Sequence, residues 1–207
     1  MTPPRFIVTG TDTGVGKTVF AAALTGALGA HYWKPVQTGP DRDAEAVAAL
    51  GQVAPARIAP SAYTLSEPLS PHRAAELDNV VIDEARLALP CVEGPLVVEG
   101  AGGVLVPVTR SLLFADLFAR WNFPVVLVAR TALGTINHSL LSIEALRRRG
   151  LAIQGVAFVG EAMPDSETTI AAFGGVRRLG RLPQLSPLTP QALAEAFKEN
   201  FRLEDFQ

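Results

Sequence analysis

The chain has 207 residues, of which 48% are hydrophobic and 18% charged, and its formal net charge is −2. This length suits a globular protein with a sizeable core, so we expect a single domain over residues 1–207. The slightly acidic balance argues against a nucleic-acid-binding protein, because that class usually concentrates basic residues on one face.

Short apolar runs alternate with helical patterns along most of the chain. We predict strands at residues 6–9, 30–35, 96–99, 125–129 and 153–159. We predict helices from Thr18 onward and at residues 41–50, 83–89, 112–121, 136–149 and 190–200, with a proline-rich loop at 51–71. Strands that alternate with helices of this size are typical of an α/β fold, in this case one doubly wound, mostly parallel sheet flanked by helices.

Cysteine usage indicates a reducing compartment, and the hydropathy pattern argues against a membrane segment. Cys91 is the single cysteine, so no internal disulfide can form, which is compatible with the cytoplasm. The N-terminal M-T-P-P-R runs directly into the first predicted strand, without the regions of a signal peptide. No apolar run reaches the roughly 18 residues that a membrane span needs. We therefore expect a cytoplasmic protein without a membrane segment.

The stretch from Val8 to Thr18, V-T-G-T-D-T-G-V-G-K-T, resembles a phosphate-binding loop with unusual spacing. The common P-loop is G-x-x-x-x-G-K-[ST], whereas five residues separate Gly10 from Gly16 in this chain. Glycines allow backbone N–H groups to converge on phosphate oxygens at a helix N-terminus. In such a loop Lys17 would bridge the terminal phosphates, and the Thr18 hydroxyl would bind Mg²⁺. A strand, a glycine-rich turn and a helix therefore predict a nucleoside triphosphate site.

Two carboxylates are candidate Mg²⁺ ligands. Glu99 ends the predicted strand L-V-V-E and is followed by G-A-G-G, which lets the backbone approach a ligand closely. This is the position of a Walker-B-like acid, and a solvent-facing acid at a strand end is the alternative. Asp43, in D-R-D-A, is either a metal ligand or an acid that complements a helix dipole.

Lys34 is unusual because it ends an apolar strand, in W-K-P-V-Q-T-G. Its side chain either reaches the protein surface or projects into the crevice at the carboxyl edge of the sheet. In the crevice, a second cation beside Lys17 would stabilise an anionic transition state. The residues alone leave both interpretations open.

Five motifs follow one another along the chain: G-T-D-T-G-V-G-K-T, K-P-V-Q-T-G, E-P-L-S-P-H, V-E-G-A-G-G and G-T-I-N-H. In this order they resemble the dethiobiotin synthase family, whose members share the longer phosphate-binding loop. The likeness spans nearly the whole chain and is strongest over residues 6–140. It implies a P-loop NTPase-like fold.

The resemblance implies an ATP- and Mg²⁺-dependent cyclo-ligase that catalyses the penultimate step of biotin synthesis. Its substrates would be 7,8-diaminononanoate and CO2, which form a carbamate on one amine. ATP would phosphorylate the carbamate to a carbamic–phosphoric anhydride, and the second amine would then expel phosphate. Because phosphate is a good leaving group, the protein would mainly position reactants and stabilise charge.

The resemblance also implies roles for individual residues. Thr18, Asp43 and Glu99 match metal ligands, while Lys17 and Lys34 match the catalytic lysines beside the carbamate and the transferring phosphate. A larger set would bind the nucleotide: Gly14, Val15, Gly16, Lys17, Thr18, Asp43, Glu99, Gly100, Ala101, Gly102, Pro183, Gln184 and Leu185.

Substrate binding would involve two regions of the family's fold. The matching residues are Thr13, Thr38, Gly134, Ile136 and Asn137, and the G-T-I-N-H segment would act across a homodimer interface. Asn137 is alternatively only a helix cap, and His138 only a packing residue.

The chain departs from the family after the strand G-V-A-F-V. Relatives usually carry an Asn-Asp pair there that reads adenine, whereas this chain has Val159 and Gly160. The segment 180–185 still resembles the loop that flanks the base, so backbone contacts remain available. We therefore predict weaker discrimination among nucleoside triphosphates than in relatives with Asn.

Two other protein classes use a similar loop. Amidotransferases of the cobyrinate-amidating type carry an additional glutaminase domain with a nucleophilic cysteine, and this chain has neither the length nor a suitably placed cysteine. MinD/ParA-like ATPase switches carry a second lysine near the start of the loop, where this chain reads T-G-T-D-T. Both classes therefore fit the sequence less well than the synthase.

Overall fold

Strands and helices alternate along residues 3–207, the part of the chain that this computed structural model describes. The strands are β1 (Arg5–Gly10), β2 (His31–Trp33), β3 (Val36–Thr38), β4 (Ile58–Ala59), β5 (Tyr63–Leu65), β6 (Leu96–Gly103), β7 (Val125–Arg130), β8 (Ile153–Val159) and β9 (Arg178–Leu182). The helices are α1 (Lys17–Leu28), α2 (Asp43–Leu50), α3 (Pro71–Leu77), α4 (Phe114–Trp121), α5 (Thr135–Arg147), α6 (Pro164–Gly174) and α7 (Pro190–Asn200). Short 3-10 helices lie at Pro55–Arg57, Glu84–Leu87 and Leu203–Phe206.

Seven strands form one parallel sheet in the order β4-β2-β6-β1-β7-β8-β9. From β1 the chain first builds the strands on one side of it, β2, β4 and β6. It then builds β7, β8 and β9 on the other side. Ligands of open α/β sheets bind where the strand order reverses in this way, outside the carboxyl ends of the strands. β3 and β5 form a separate two-stranded parallel sheet. The predicted doubly wound, mostly parallel α/β fold is confirmed.

The main sheet is buried on both faces because successive side chains of its strands enter two different hydrophobic clusters. In β1, Ile7 packs in one cluster, while Phe6 and Val8 pack in the other. α4 and α5 cover the first cluster, where Phe118 is fully buried, and α1 and α7 cover the second, where Phe20 is fully buried. Burial on both faces explains why the strands read as continuous apolar runs in the sequence.

α1 begins directly after the glycine-rich loop, as predicted. Gly16 precedes its first residue with a φ of 95°, a left-handed conformation that favours glycine. A Cβ at Gly16 would lie only 2.8 Å from Cγ1 of Val159, at the end of β8. Only glycine therefore allows the loop to turn into the helix while β8 packs against it.

The predicted loop at 51–71 is wrong in part, because it contains β4, β5 and the 3-10 helix at Pro55–Arg57. β4 has two residues and β5 has three, too few to show an alternating pattern in the sequence. Pairing with β2 and β3 stabilises them instead. Similarly, the strand predicted at 30–35 ends at Trp33, and Pro35 separates β2 from β3.

Further elements differ from the sequence prediction. α3, α6 and β9 are not predicted, and the helix predicted at 83–89 is only the 3-10 helix Glu84–Leu87. The buried residues of α6 are Glu167, Ile170 and Gly174, so its sequence shows no apolar period. Within residues 3–207, no helix combines the length and the apolar character that crossing a membrane requires.

Candidate active site

The glycine-rich loop between β1 and α1 lies at the carboxyl edge of the sheet. Gly14 and Gly16 both line an open cleft and both adopt positive φ angles, 70° and 95°. The Lys17 Nζ donates a hydrogen bond of 2.8 Å to the Asp12 carbonyl, so the lysine side chain folds back over the loop. The first turn of α1 offers N–H groups without helical partners, and the helix dipole adds positive potential. The loop is therefore suited to bind an anion.

Two carboxylates, a hydroxyl and an ammonium group meet beside this loop. Thr18 Oγ1 lies 3.0 Å from Oδ1 of Asp43 and 2.9 Å from Oε1 of Glu99, within hydrogen-bonding distance of both. Lys34 Nζ donates to Glu99 Oε1 at 3.2 Å and also to Asp43 Oδ2. We call Thr18, Lys34, Asp43 and Glu99 the polar cluster. Its members lie up to 81 positions apart in the chain, so tertiary folding assembles it.

Lys34 projects into the crevice, and the alternative of a surface-reaching lysine is wrong. The residue is only 5% exposed. Burial lowers the pKa of Lys34, but the charges of Glu99 and Asp43, together with their hydrogen bonds, outweigh this effect and raise the pKa above its ordinary value. Lys34 is therefore a buried cation at neutral pH. By contrast, burial lowers the pKa of Lys17 to about 8, an effect that Glu99 opposes and the charge of Lys34 reinforces.

Glu99 lies inside a strand rather than at a strand end. β6 runs from Leu96 to Gly103, so the prediction that the strand ends at Glu99 is wrong. β6 remains paired with β1 beyond this point: Val8 lies opposite Glu99, and Gly10 lies opposite Gly103 after a register shift. Glu99 is 0% exposed, which contradicts the alternative of a solvent-facing acid.

Asp43 is the first residue of α2, and its carboxylate belongs to the polar cluster. It does not cap its own helix, because Arg42 occupies the N-cap position and no side-chain cap bond forms there. The Asp43 oxygens instead contact Thr18 and Lys34. The position at the helix start also complements the dipole, so both interpretations of Asp43 agree with its place in the fold.

Tyr32 also contacts Glu99, and the sequence prediction does not include it. Its hydroxyl donates a hydrogen bond of 2.9 Å to Oε2 of Glu99. Burial, and then the charge of Glu99, raises the pKa of Tyr32 well above its ordinary value, so the hydroxyl keeps its proton. One signal in the sequence points to this residue. Tyr32 and Lys34 are two positions apart in an extended segment, and such residues share one face.

One cavity of about 620 Å³ joins the glycine-rich loop to the polar cluster. We call it the main cleft. The predicted site residues that line it are Thr13, Gly14, Gly16, Lys17, Thr18, Lys34, Thr38, Asp43, Glu99, Ala101 and Gly102. Its walls also contain residues that are not predicted: Val19, Gln37, Asp41, Pro68, Leu69, Ser70, Pro71 and Val106. Residues 68–71 belong to E-P-L-S-P-H, one of the five motifs, so the sequence did contain a signal that this segment lies at the site.

Other predicted residues do not line the main cleft. The Val15 side chain is buried in the hydrophobic core, and a Cβ at Gly100 would lie 2.8 Å from the Phe118 ring, so only the backbone of these residues can face a ligand. Residues 183–185 follow β9, and Gly134, Ile136 and Asn137 lie at the start of α5.

A second cavity, of about 380 Å³, shares Thr13 and Val106 with the main cleft. His138, from the G-T-I-N-H motif, is half-buried and lines this side cavity. The alternative that Asn137 caps α5 is wrong. Gly134 occupies the N-cap position, and Asn137 is exposed at the third helical position.

Comparison with known proteins identifies the family. The family model described as "AAA domain" matches residues 4–192. A relative from Novosphingobium aromaticivorans, named ATP-dependent dethiobiotin synthetase, is 67% identical over 97% of this chain and 98% of its own length. A relative of the same name from Agrobacterium fabrum is 60% identical over 98% of this chain and 96% of its own length.

The chain belongs to the dethiobiotin synthetase family. The resemblance inferred from the five motifs is thereby confirmed, and so is the prediction of an ATP-dependent ligase.

Solved structures of other proteins share the fold of this dethiobiotin synthetase family member. The septum site-determining protein MinD from Pyrococcus horikoshii OT3, complexed with Mg-ADP, matches with a TM-score of 0.56 over 95% of this chain and 86% of that chain. A chain of the MinC:MinD cell division complex from Aquifex aeolicus matches with a TM-score of 0.53 over 95% of both chains. The identities are 15% and 13%, so these structures support the P-loop NTPase fold alone.

Proposed function

We propose that the chain makes dethiobiotin from 7,8-diaminononanoate, CO2 and ATP. One neutral amine of the diamine attacks CO2 and loses a proton to solvent, which gives a carbamate. A carbamate oxygen attacks the terminal phosphorus of ATP and releases ADP, so that a carbamic–phosphoric anhydride forms. The second amine attacks the carbonyl carbon, loses its proton, and expels phosphate as the ureido ring closes. The observation that carries this proposal is the convergence of the two lysines and the polar cluster in the main cleft.

In this proposal the glycine-rich loop binds the triphosphate. Gly14, Val15 and Gly16 contribute backbone N–H groups, and Lys17 contributes its ammonium group. Lys17 already lies over the loop through its hydrogen bond to the Asp12 carbonyl. Gly100, Ala101 and Gly102, on β6, would lie along the nucleotide.

The polar cluster has the donor groups that Mg²⁺ prefers. No group of three or more His, Cys, Asp and Glu residues within residues 3–207 has metal-binding geometry. Thr18, Asp43 and Glu99 instead supply one hydroxyl and two carboxylates, and the hydroxyl oxygen lies within 3.0 Å of both acids. Such hard oxygen donors, completed by phosphate oxygens and water, are the usual Mg²⁺ environment in nucleotide sites. When bound, the ion would offset the charge of the phosphates.

Lys34 is proposed to stabilise the charge that develops on the carbamate and the transferring phosphoryl group. Its ammonium group is buried in the main cleft and close to Glu99 and Asp43. A fixed cation in a water-poor site stabilises a developing anion more strongly than one in water does. Because the cation is already desolvated, little reorganisation is needed when the anion forms.

The diamine is proposed to bind between the main cleft and the side cavity. Thr13 lines both cavities, and Thr38 lines the main cleft. The substrate carboxylate would be held by Gly134, Ile136 and Asn137 of a partner chain in a homodimer. These residues line neither cavity of their own chain, so in this proposal they act on the site of the other copy.

The decisive experiment measures ADP formation with and without 7,8-diaminononanoate and bicarbonate, and detects the cyclic urea by mass spectrometry. We expect ADP formation to depend on the diamine, and ADP and dethiobiotin to form in equal amounts. ATP turnover that the diamine does not change would contradict the proposal. That result would favour an ATPase switch of the kind that the structural neighbours represent.

We expect comparable turnover with ATP, CTP and GTP, because neither Val159 nor Gly160 has a polar side chain that could read the base. Gly160 uses its N–H to bond the Leu182 carbonyl at 3.0 Å, and its own carbonyl accepts from Arg181 at 2.9 Å. Val159 offers only methyl groups, and they lie against Gly16. Neither residue can read adenine as an amide side chain would, and contacts would fall to the backbone of Pro183, Gln184 and Leu185.

Two variants of Val159 sharpen this prediction about the base. Val159→Asn adds an amide and should shift the ratio of kcat/KM values toward ATP. Val159→Leu changes the size of the side chain without adding an amide and should leave the ratio unchanged. A strong preference for ATP in the unmodified protein would show that another group reads the base.

Exposed leucines around the side cavity support the proposed homodimer. Leu105 and Leu141 are 49% and 57% exposed, and both line the side cavity. Contiguous exposed apolar groups commonly mark an interaction surface. We expect Leu141→Asp to weaken the dimer and to raise the KM for the diamine at least about 10-fold, as loss of an interface anchor does. Analytical ultracentrifugation and diamine titrations measure these two effects.

The matched control is Val81→Asp, because Val81 is 88% exposed and lines neither cavity. This variant should remain a dimer with an unchanged KM. A monomeric but fully active wild-type protein would refute the idea that the partner completes the site.

A further inference from the structure

Glu99 divides its two carboxylate oxygens between different partners. Oε1 faces the main cleft, where it lies 2.9 Å from Thr18 Oγ1 and 3.2 Å from Lys34 Nζ. Oε2 accepts a hydrogen bond of 2.9 Å from the Tyr32 hydroxyl, the one donor to this oxygen within residues 3–207. Both Tyr32 and Glu99 are 0% exposed. The carboxylate is therefore held from the cleft on one side and from the protein interior on the other.

Tyr32 is a rigid donor. It lies in β2, between β4 and β6 of the main sheet, and its ring is packed in the hydrophobic cluster that also contains Phe20 and Val47. The last torsion of a glutamate side chain, in contrast, has a broad preference, so the Glu99 rotamer alone does not define the plane of its carboxylate. A fixed hydroxyl at Oε2 defines that plane.

We propose that Tyr32 is a positioning residue, which holds Glu99 so that Oε1 stays directed at Thr18 and at the Mg²⁺ position. This inference rests on the proposed function, since it assumes that Glu99 is a metal ligand. Hydrogen bonds from outer residues to metal-binding carboxylates typically change metal affinity by roughly 10- to 100-fold. Tyr32 would act on the reaction only through Glu99, without touching the substrates.

A purely structural Tyr32 would behave differently. In that case the hydrogen bond would only satisfy two buried polar groups, and its loss would lower stability without changing metal affinity. Metal affinity therefore separates the two roles, whereas thermal stability alone does not.

The chain offers a matched pair of variants, because it contains two tyrosines, Tyr32 and Tyr63. Tyr63 is also buried, with 6% of the residue exposed, but its hydroxyl accepts from the Asp83 backbone N–H at 2.8 Å and the residue lines neither cavity. Each Tyr→Phe change removes one buried hydroxyl and keeps the ring. We expect Tyr32→Phe to weaken Mg²⁺ binding about 10-fold and Tyr63→Phe to leave it unchanged. Calorimetric titration of Mg²⁺ into the protein saturated with ADP measures this affinity without turnover.

The outcomes distinguish the inference from the function on which it rests. If the wild-type protein with ADP binds no Mg²⁺, the proposed metal site fails. If wild type and Tyr32→Phe bind Mg²⁺ equally tightly, the metal site stands and the positioning role is overturned. Metal-free ADP affinity and the KM for the diamine should match wild type in both variants.

A spectroscopic measurement keeps the inference testable even if Tyr32→Phe does not fold. In Tyr63→Phe, Tyr32 is the one remaining tyrosine, so the tyrosine vibrational bands report on its hydroxyl alone. We expect these bands to show a hydrogen-bond donor both before and after Mg²⁺ and ADP are added. Loss of the donor signature on metal binding would overturn the positioning role, because Glu99 would then have turned away from Tyr32.

Discussion

Replacing Lys34 with alanine is expected to lower turnover at least about 100-fold, which corresponds to about 2.7 kcal/mol of transition-state stabilisation. Lys34 is 5% exposed and is held by Glu99 and Asp43, so its charge is fixed and desolvated beside the phosphate-binding loop. Steady-state kinetics with saturating ATP, bicarbonate and diamine measure the loss. The effect should fall mainly on kcat, because the interaction strengthens as charge develops.

The matched control for Lys34→Ala is Lys198→Ala, since Lys198 is exposed on α7 and lies outside the main cleft. This control should turn over as the wild type does. A thermal unfolding scan of both variants separates lost catalysis from lost folding, because Lys34→Ala leaves two neighbouring carboxylates without their cation. Near-wild-type turnover of a folded Lys34→Ala protein would contradict the catalytic role and leave Lys34 only as the counterion of Glu99 and Asp43.

Glu99→Gln is expected to produce a second large loss, again at least about 100-fold in turnover. The change keeps the shape of the side chain but removes a buried negative charge. An amide has one oxygen, whereas Thr18, Lys34 and Tyr32 surround the two oxygens of Glu99 as donors. At least one donor is then left facing an NH2 group, and an unsatisfied buried donor is costly. Turnover measured over a range of Mg²⁺ concentrations should show a higher metal requirement.

Glu144→Gln provides the comparison for Glu99→Gln, because Glu144 is an exposed glutamate of α5 that lines neither cavity. Its Mg²⁺ dependence should match that of the wild type. If Glu99→Gln reached full turnover at the wild-type Mg²⁺ concentration, Glu99 would not be a metal ligand.

Local patterns predict the phosphate-binding part of the site well. The loop and the start of α1 depend on a few neighbouring residues, because glycine alone adopts the φ of 95° at Gly16 without strain. The strand before the loop is apolar because it is buried on both faces. These features leave a signal in short windows of sequence, so the strand, loop and helix are found close to their observed bounds.

Elements that depend on distant partners are predicted poorly. β4 and β5 have too few residues to show a period, and each exists because another strand pairs with it. β6 continues past Glu99 through G-A-G-G, although glycines weaken the interior of a strand. Pairing with β1 overrides that local preference, and it is this pairing that buries Glu99 within the sheet.

The sequence by itself determined the α/β fold class, the phosphate-binding loop, the family and the set of charged residues available for the reaction. Only the tertiary structure decided how those charges are arranged: Lys34 enters the crevice, Glu99 is fully buried, and Tyr32 holds its second oxygen. The physical reason is the separation along the chain between the residues that determine each feature. Loop conformation follows from adjacent residues, whereas the direction and protonation of a buried charge depend on groups that reach it from up to 81 positions away.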